Sequence, residues 1–386
     1  MRIAFVHSRF PAGGAERITV DIARYLKKVG GYEVFVYSSR LPQSLPEDIQ
    51  EVLSVRKLPS SAFPSLKAKA VEKMIVEDGI DILVQVSKSL PGIDGIRSRT
   101  GCKAVTACHG EPFWQRHVIT HRRQKGLFRK LLWLIVNRRR FADGTLAMRM
   151  AVERSRRDYD SSDAYTVLCE SYRKETAEVF GLDPDESHIH AIENPEYTIS
   201  DPCLDKEKVI MFCGRLENWS KRIDRLLRIW KRVQDRLPDW RLVIVGDGPD
   251  GPMLRRMAGG LGLDRVSFEG HCTDVSGYYR KASVVALTSL TEGWPLALTE
   301  AQANGCICVA FGCTSGVVEI LSPEAECGFI VADGDEELFA ERLCTIASMP
   351  EEERIRIRKM SILKRAGYAP EIIAQKWRIL FDTLIK

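Results

Sequence analysis

Glu292 and Glu300 stand eight positions apart, with Gly293-Trp294-Pro295 leading from the first into a helix-like run that begins at Leu296. A carboxylate accepts hydrogen bonds and suits hydroxyl groups. A turn that opens a helix suits an anion instead, because free backbone N–H groups and the positive end of the helix dipole converge there. Pro295 fits such a start, where a missing N–H has no intrahelical partner to lose. A carboxylate on each side of an anion cradle matches a ligand with phosphate in the middle and a hydroxylated ring at each end, the layout of a sugar nucleotide. Cations for the diphosphate stand in Gly214-Arg215-Leu216-Glu217-Asn218-Trp219-Ser220-Lys221-Arg222. Arginine offers a planar fork to phosphate oxygens and lysine a point charge. No Asp-x-Asp pair lies nearby to hold a metal, so fixed cations would neutralise a departing diphosphate. The plainer alternative for this run is a solvated basic turn.

Two further groups have the chemistry for a reaction centre. His109, in Ala107-Cys108-His109-Gly110-Glu111-Pro112, ends an apolar strand-like run. There it could hydrogen-bond a transferred group or carry a proton, with Glu111 a weaker companion. Gly13-Gly14-Ala15-Glu16-Arg17 follows the first strand and opens a helix. Two glycines let backbone approach a ligand closely, although such a turn also serves purely structural ends. It is neither a Gly-x-Gly-x-x-Gly fingerprint nor a Walker loop. Cys306, Cys308 and Cys313 lack the Cys-x-x-Cys pairing and the histidine that a zinc site would need; no metal and no cofactor are expected.

The elements that must position these groups alternate. Short, nearly continuous apolar runs at 3–8, 33–38, 81–87, 103–109 and 164–170 predict strands of a parallel sheet buried on both faces. Helical stretches such as 15–28 and 67–78 lie between them. The second half repeats the theme, with strands at 208–213, 241–246, 265–269, 283–289, 307–311 and 328–331. Helices are expected at 222–236, 250–261, 296–304, 335–347 and 351–364. This is the pattern of βαβ units and doubly wound sheets. A polar, proline-bearing stretch from Ile192 to Lys206 reads as a linker. It separates an expected first domain, 1–195, from a second, 206–369. Two such domains would form a cleft outside the carboxyl ends of their strands. Residues 370–386 place Ile373, Trp377, Leu380, Phe381 and Leu384 at helical spacing, the signature of an amphipathic helix docked on a core.

With 386 residues, 45% apolar and 28% charged, the chain is globular and long enough for two domains. It has no apolar run of 18 residues, and its start reads as a strand instead of a signal peptide. Its 11 cysteines follow no disulfide framework. A cytoplasmic protein is expected. The net charge of +5 hides an asymmetry, because residues 116–157 hold 13 Arg or Lys against Asp143 and Glu153, a local net of +11. Within that tract, Leu131-Leu132-Trp133-Leu134-Ile135-Val136 is flanked by cations. Such a block suits a helix lying on an anionic lipid surface, the inner face of a cell membrane. An ordinary core helix with solvated flanks is the alternative. Nucleic acid is disfavoured, since it calls for cations without so long an apolar run.

The order Gly13-Gly14-Ala15-Glu16-Arg17, Gly214-Arg215-Leu216 with Lys221, Val245-Gly246-Asp247-Gly248-Pro249, Val266-Ser267-Phe268-Glu269-Gly270 and the Glu-x7-Glu pair resembles the family 4 retaining glycosyltransferases. The resemblance runs over nearly the whole chain and is strongest from 208 to 335. It implies the GT-B architecture, two facing Rossmann-like domains, with the Trp377 helix crossing back onto the first. It implies that Glu300 binds the ribose hydroxyls and Glu292 the donor sugar. The backbone of Gly293, Trp294, Pro295 and Leu296 would support sugar and phosphate. Arg215 and Lys221 would hold the diphosphate. Gly270 and His271 would flank the base, Gly14 would approach phosphate and acceptor, and His109 would stand beside the transferred sugar. The gap from Arg215 to Lys221 is one residue longer than in the family pattern, which brings in Arg222 as a partner for Lys221. Trp294 replaces a more usual Phe or Leu. The implied reaction moves a hexose or N-acetylhexosamine from a nucleotide, UDP foremost, to a hydroxyl of a lipid-linked glycan of surface polysaccharide or lipopolysaccharide, keeping the anomeric configuration. A sugar-nucleotide epimerase and a non-catalytic binding subunit are the rival readings.

Overall fold

The computed structural model describes residues 1–11, 14–59, 64–86, 90–117, 144–196, 199 and 202–386. The chain divides into two compact units, Met1–Pro195 together with Pro370–Lys386, and Glu196–Ala369.

The first unit runs β1 (Arg2–His7), α1 (Gly14–Val29), β2 (Glu33–Ser38), α2 (Glu47–Gln50), β3 (Ser54–Lys57), α3 (Pro64–Asp78), β4 (Ile82–Val86), α4 (Ile93–Thr100), β5 (Lys103–Ala107), α5 (Thr145–Asp160), β6 (Ala164–Val167), α6 (Glu170–Phe180) and β7 (Ile189–Ala191). Its strands form one parallel sheet in the order β3-β2-β1-β4-β5-β6-β7. The central strands are buried along nearly their whole length, as the continuous apolar runs require. Chain order reverses between β1 and β4, so the loops leaving the carboxyl ends of these two strands diverge and leave room for a ligand. α15 (Pro370–Ile385) returns to this unit and lies on α1. Its buried stripe of Ile373, Trp377, Leu380 and Phe381 follows the helical period. Trp377 meets Phe5 edge-on at 6.5 Å, and Tyr32 donates to Asp382 Oδ1 at 2.7 Å.

The second unit runs β8 (Glu207–Cys213), α7 (Asn218–Lys221), α8 (Ile223–Val233), β9 (Arg241–Val245), α9 (Gly251–Gly260), β10 (Val266–Gly270), α10 (Ser276–Lys281), β11 (Ala282–Leu287), α11 (Leu296–Ala303), β12 (Ile307–Phe311), α12 (Ser315–Leu321), β13 (Phe329–Val331), α13 (Glu336–Ser348) and α14 (Glu351–Ala366). Its parallel sheet has the order β10-β9-β8-β11-β12-β13. The switch point lies between β8 and β11, the strands that deliver the cationic loop and the Glu292 turn. Trp230, Phe212, Phe311 and Phe339 fill the core beneath α8 and α13, and the Trp230 indole N–H is satisfied by Asp264 O at 2.9 Å.

Gly246 explains how the loops after β8 and β9 come so close. It holds φ +135°, and a Cβ there would sit 1.9 Å from Gly214 O. Only glycine permits that approach. Leu216 then donates its N–H to Asp247 O at 3.0 Å and accepts from Asp250 N at 3.1 Å, which locks the backbone on which Arg215 stands.

Candidate functional site

In the second unit the cationic loop is built as a broken helix. α7 stops at Arg222, which adopts φ 47° and ψ 45° and at once opens α8. A non-glycine residue in the left-handed region costs roughly 1–2 kcal/mol, and the surroundings hold it there. Thr288 Oγ1 donates to Arg222 O at 3.0 Å, and Leu290 N donates to Ser220 O at 2.7 Å. Asn218 receives Asp224 N on its side chain at 2.9 Å, and Asp250 Oδ2 accepts Asn218 N at 2.8 Å. The break aims Lys221 at the loop after β11. Its ammonium donates to both oxygens of Glu292, at 2.7 and 2.9 Å. Ser289 Oγ donates to Glu292 Oε1 at 2.5 Å. Glu292 is only 9% exposed, so its charge is compensated at short range by a lysine and a hydroxyl. Lysine has three donors; two are engaged, which leaves one for a ligand.

Arg222 is directed elsewhere. Its guanidinium spans both oxygens of Asp224 at 3.0 and 3.1 Å, so it braces the start of α8. Arg215 is exposed, and among the described residues no hydrogen bond or ion pair holds its guanidinium. Of the three cations, Lys221 and Arg215 therefore keep donors for a ligand most openly.

Pro295 precedes α11, and no side chain caps this helix start. The first helical bond is Leu298 N to Pro295 O at 2.9 Å, so the N–H groups of Leu296 and Ala297 come before it. The Trp294 indole is buried and turned inward, against Tyr368 with ring centroids 5.8 Å apart. Its bulk fixes the turn from behind. Glu300, one turn into α11, accepts from the Tyr279 hydroxyl at 3.0 Å. Burial, then the charge of Glu300, push the Tyr279 phenol well above its ordinary value, so it stays a donor. Gly270 ends β10 at φ +78°, and its carbonyl accepts from Gly246 N at 2.8 Å; His271 beyond it is exposed. Among the described residues no group of three or more His, Cys, Asp and Glu side chains converges to hold a metal.

The first unit carries its own polar cluster, at the carboxyl ends of β1 and β5. His109 Nδ1 lies 3.3 Å from Asn194 Oδ1, which accepts, so the ring keeps its other nitrogen as an acceptor. Burial, helped by the charge of His7 against the opposing effect of Asn194 and Glu16, pulls the His109 pKa down to about 4; the imidazole is neutral at pH 7. His7 ends β1 and is buried. Thr19 donates its hydroxyl proton to Ala15 O at 3.2 Å and so receives His7 Nε2–H at 2.9 Å, leaving His7 Nδ1 3.7 Å from Glu16 Oε1. For Glu16, burial acts to raise the pKa, but the nearby His7 ring and a hydrogen bond from the backbone N–H of Glu16 outweigh it and lower the value. Glu111 instead pairs with Arg116 and with His117 at 3.3 Å, within its own loop. Gly14 begins α1, while Gly13 lies outside the described residues, as does the basic tract from 118 to 143.

His7, Thr19, Asn194, Ser289 and Tyr279 escaped the reading from sequence. Three of them, His7, Ser289 and Asn194, stand within two residues of a strand end or in the interdomain linker; that position is the signal that could have drawn attention to them.

Residues 12–195 match the family described as Glycosyltransferase Family 4, and residues 207–349 match Glycosyl transferases group 1. An "uncharacterized glycosyltransferase" of Haemophilus influenzae is 27% identical over 381 residues, which is 97% of this chain and 98% of that one. An undecaprenol-diphosphate-glycan α-1,4-N-acetyl-D-galactosaminyltransferase of Campylobacter jejuni is 23% identical over 356 residues, 89% and 88% of the two chains. Among solved structures, the Anabaena protein HepE in complex with UDP superposes with a TM-score of 0.73 at 17% identity, over 99% of this chain and 100% of that one.

Proposed function

The chain is a glycosyltransferase with the GT-B fold, and from that premise we propose that it moves a hexose or N-acetylhexosamine from a UDP-sugar to a hydroxyl of a lipid-linked glycan, with retention of configuration. The observation that carries the donor reading is the second unit's arrangement of two carboxylates around an uncapped helix start. Glu292 is held by Lys221 and Ser289, and Glu300 by Tyr279. In this reading Glu300 takes the ribose hydroxyls and Glu292 the donor sugar. The N–H groups of Leu296 and Ala297, the third donor of Lys221 and the Arg215 guanidinium receive the diphosphate. Gly270 and His271 border the base. The first unit takes the acceptor, with Gly14 near it and neutral His109 accepting a hydrogen bond from the transferred sugar.

Glu292 is poorly suited to attack the anomeric carbon, because a carboxylate bound by an ammonium at 2.7 and 2.9 Å and a hydroxyl at 2.5 Å has its electron density engaged. Attack on the face the diphosphate leaves, with a leaving phosphate oxygen accepting the acceptor's proton, needs no such nucleophile. Arg215 and Lys221 then stabilise the charge that develops as the bond to the diphosphate breaks. Turnover is expected to survive EDTA.

The lipid-linked acceptor rests on two supports. One is the acceptor in the Campylobacter relative's name. The other is the basic-apolar tract 116–157, whose described end, α5, exposes Arg149, Arg154 and Arg157. In this reading the tract binds the anionic inner face of the membrane; no helix among the described residues is long and apolar enough to cross one. Glutamate at Arg138, Arg139 and Arg140 should weaken cosedimentation with anionic vesicles, and an unchanged binding curve would remove this part. The donor reading is tested by a thermal-shift panel of sugar nucleotides, since a ligand of the folded state raises its melting point. A UDP-sugar should give the largest shift, and Glu300→Ala should abolish it. A panel without any shift would overturn the donor reading.

A further inference from the structure

Arg365, in the last turn of α14, is only 2% exposed, and among the described residues none of its three guanidinium nitrogens has a hydrogen-bond partner. A buried, unpaired cation opposes folding, and an apolar side chain of similar length would be better tolerated. The surroundings compensate it only in part. The guanidinium carbon stands 4.2 Å from the centroid of the Tyr368 ring, a cation–π contact. The charge of Glu196 acts on it too, and the Cys308 thiol nearby, kept protonated by burial, reaches Leu298 O at 3.6 Å in the first turn of α11.

The neighbours of Arg365 all lead to one place. Tyr368 packs on the Trp294 indole, which backs the turn between Glu292 and Glu300. Tyr368 O accepts from Glu196 N at 2.7 Å, and Glu196 Oε2 accepts from Thr299 Oγ1 at 2.6 Å, next to Glu300 in α11. α14 itself packs along α11. A buried, only partly compensated positive charge thus lies behind the turn that opens α11.

We propose that Arg365 is a positioning residue for the donor's diphosphate: its buried charge adds to the positive field at the start of α11, while its contact with Tyr368 holds the Trp294 turn in register. This rests on the reading of that turn as the diphosphate cradle. Low dielectric around the guanidinium lets its charge act over a longer range than a surface arginine's. The field acts on the phosphates and not on the uridine, so it is specific to the charged part of the ligand.

The test compares UDP with uridine by calorimetry on the whole chain, for wild type, Arg365→Met and Arg365→Lys. The account expects Arg365→Met to melt at the same or a higher temperature than wild type, yet to bind UDP about 5-fold more weakly. Uridine affinity should be unchanged. Arg365→Lys should recover most of the UDP affinity. Undiminished UDP binding by Arg365→Met would overturn the proposal. So would an equal loss for UDP and uridine, which marks a packing role only. If wild type itself binds no UDP, the donor reading fails first, independently of Arg365.

Discussion

Replacing Lys221 by Met separates two jobs that one side chain performs. Its ammonium lies 2.7 and 2.9 Å from the Glu292 oxygens, and Glu292 is 9% exposed. Removing one partner of a buried pair costs about 3–5 kcal/mol, because the other charge is left uncompensated. Here Ser289 still donates to Oε1, and the lysine side chain is 27% exposed. The destabilisation of Lys221→Met is therefore put at about 2–3 kcal/mol, near the lower end. Glu292→Gln leaves a more exposed lysine beside a neutral amide and should cost about 1 kcal/mol. The double variant has no charge left to strand, so its stability should return to within about 1 kcal/mol of wild type, with a coupling of roughly 2 kcal/mol between the sites. Urea unfolding of the four proteins gives this cycle. Turnover follows a different rule: both variants lacking Lys221 lose a cation aimed at the leaving diphosphate, and kcat should fall about 100-fold or more in each. A coupling near zero would refute the pairing. Recovery of kcat in the double variant would refute the catalytic use of Lys221, since it would leave relief of the stranded Glu292 as the whole effect.

Other perturbations have equally definite outcomes. Gly246→Ala drives a methyl to 1.9 Å from Gly214 O and should destabilise the second unit by about 3 kcal/mol or more; a urea midpoint like that of wild type would contradict the close approach. Tyr279→Phe removes a hydroxyl that donates to Glu300, and the donor KM should rise about 5-fold with kcat little changed. A 2′-deoxyribose donor should be affected less than the ribose donor, and equal effects on both would detach Tyr279 from ribose binding. His109 has its pKa lowered to about 4, below the ordinary histidine value of about 6.5. The unfolded chain takes up that proton first as pH falls, so this group's stabilisation is complete above about pH 6.5 and is lost progressively toward pH 4. Unfolding free energy should therefore drop across this window, and His109→Gln should flatten the slope; an unchanged slope would show that other groups cause it.

The strands and longer helices of the second unit were legible, while the short helices α7, α10 and α12 were missed. All six of its strands were read within two residues at either end, because strands such as β11 and β12 are apolar runs buried on both faces, turn residues mark the limits, and the half-exposed edge strand β10 still alternates Val266 and Phe268 with polar residues. In the first unit β3 and β7 were missed. Ser54-Val55-Arg56-Lys57 is a half-exposed edge strand with a polar face, and Ile189-His190-Ala191 is only three residues long. The stretch 164–170 was read as one strand, but β6 ends at Val167 and α6 opens at Glu170, since an apolar run does not announce a turn through Leu168 and Cys169. Spacing brought Glu292, Glu300, Arg215 and Lys221 to notice. It did not say that Lys221 would be paired with Glu292, or that Arg222 would turn to Asp224, because a left-handed residue between two helices has no signal when it is an arginine. The groups that steady the carboxylates, Ser289 and Tyr279, were hidden for a related reason: a serine after a strand and a tyrosine in a short helix are common, and only the fold gives them their partners.

The central claim is that the second unit grips a nucleotide diphosphate between the loop after β8 and the turn into α11. Hydrogen exchange of the intact chain with and without UDP addresses it directly. Slowed exchange concentrated in Gly214–Arg222 and Thr291–Glu300 is the predicted result. Slowing confined to other segments, or none at saturating UDP, would contradict it.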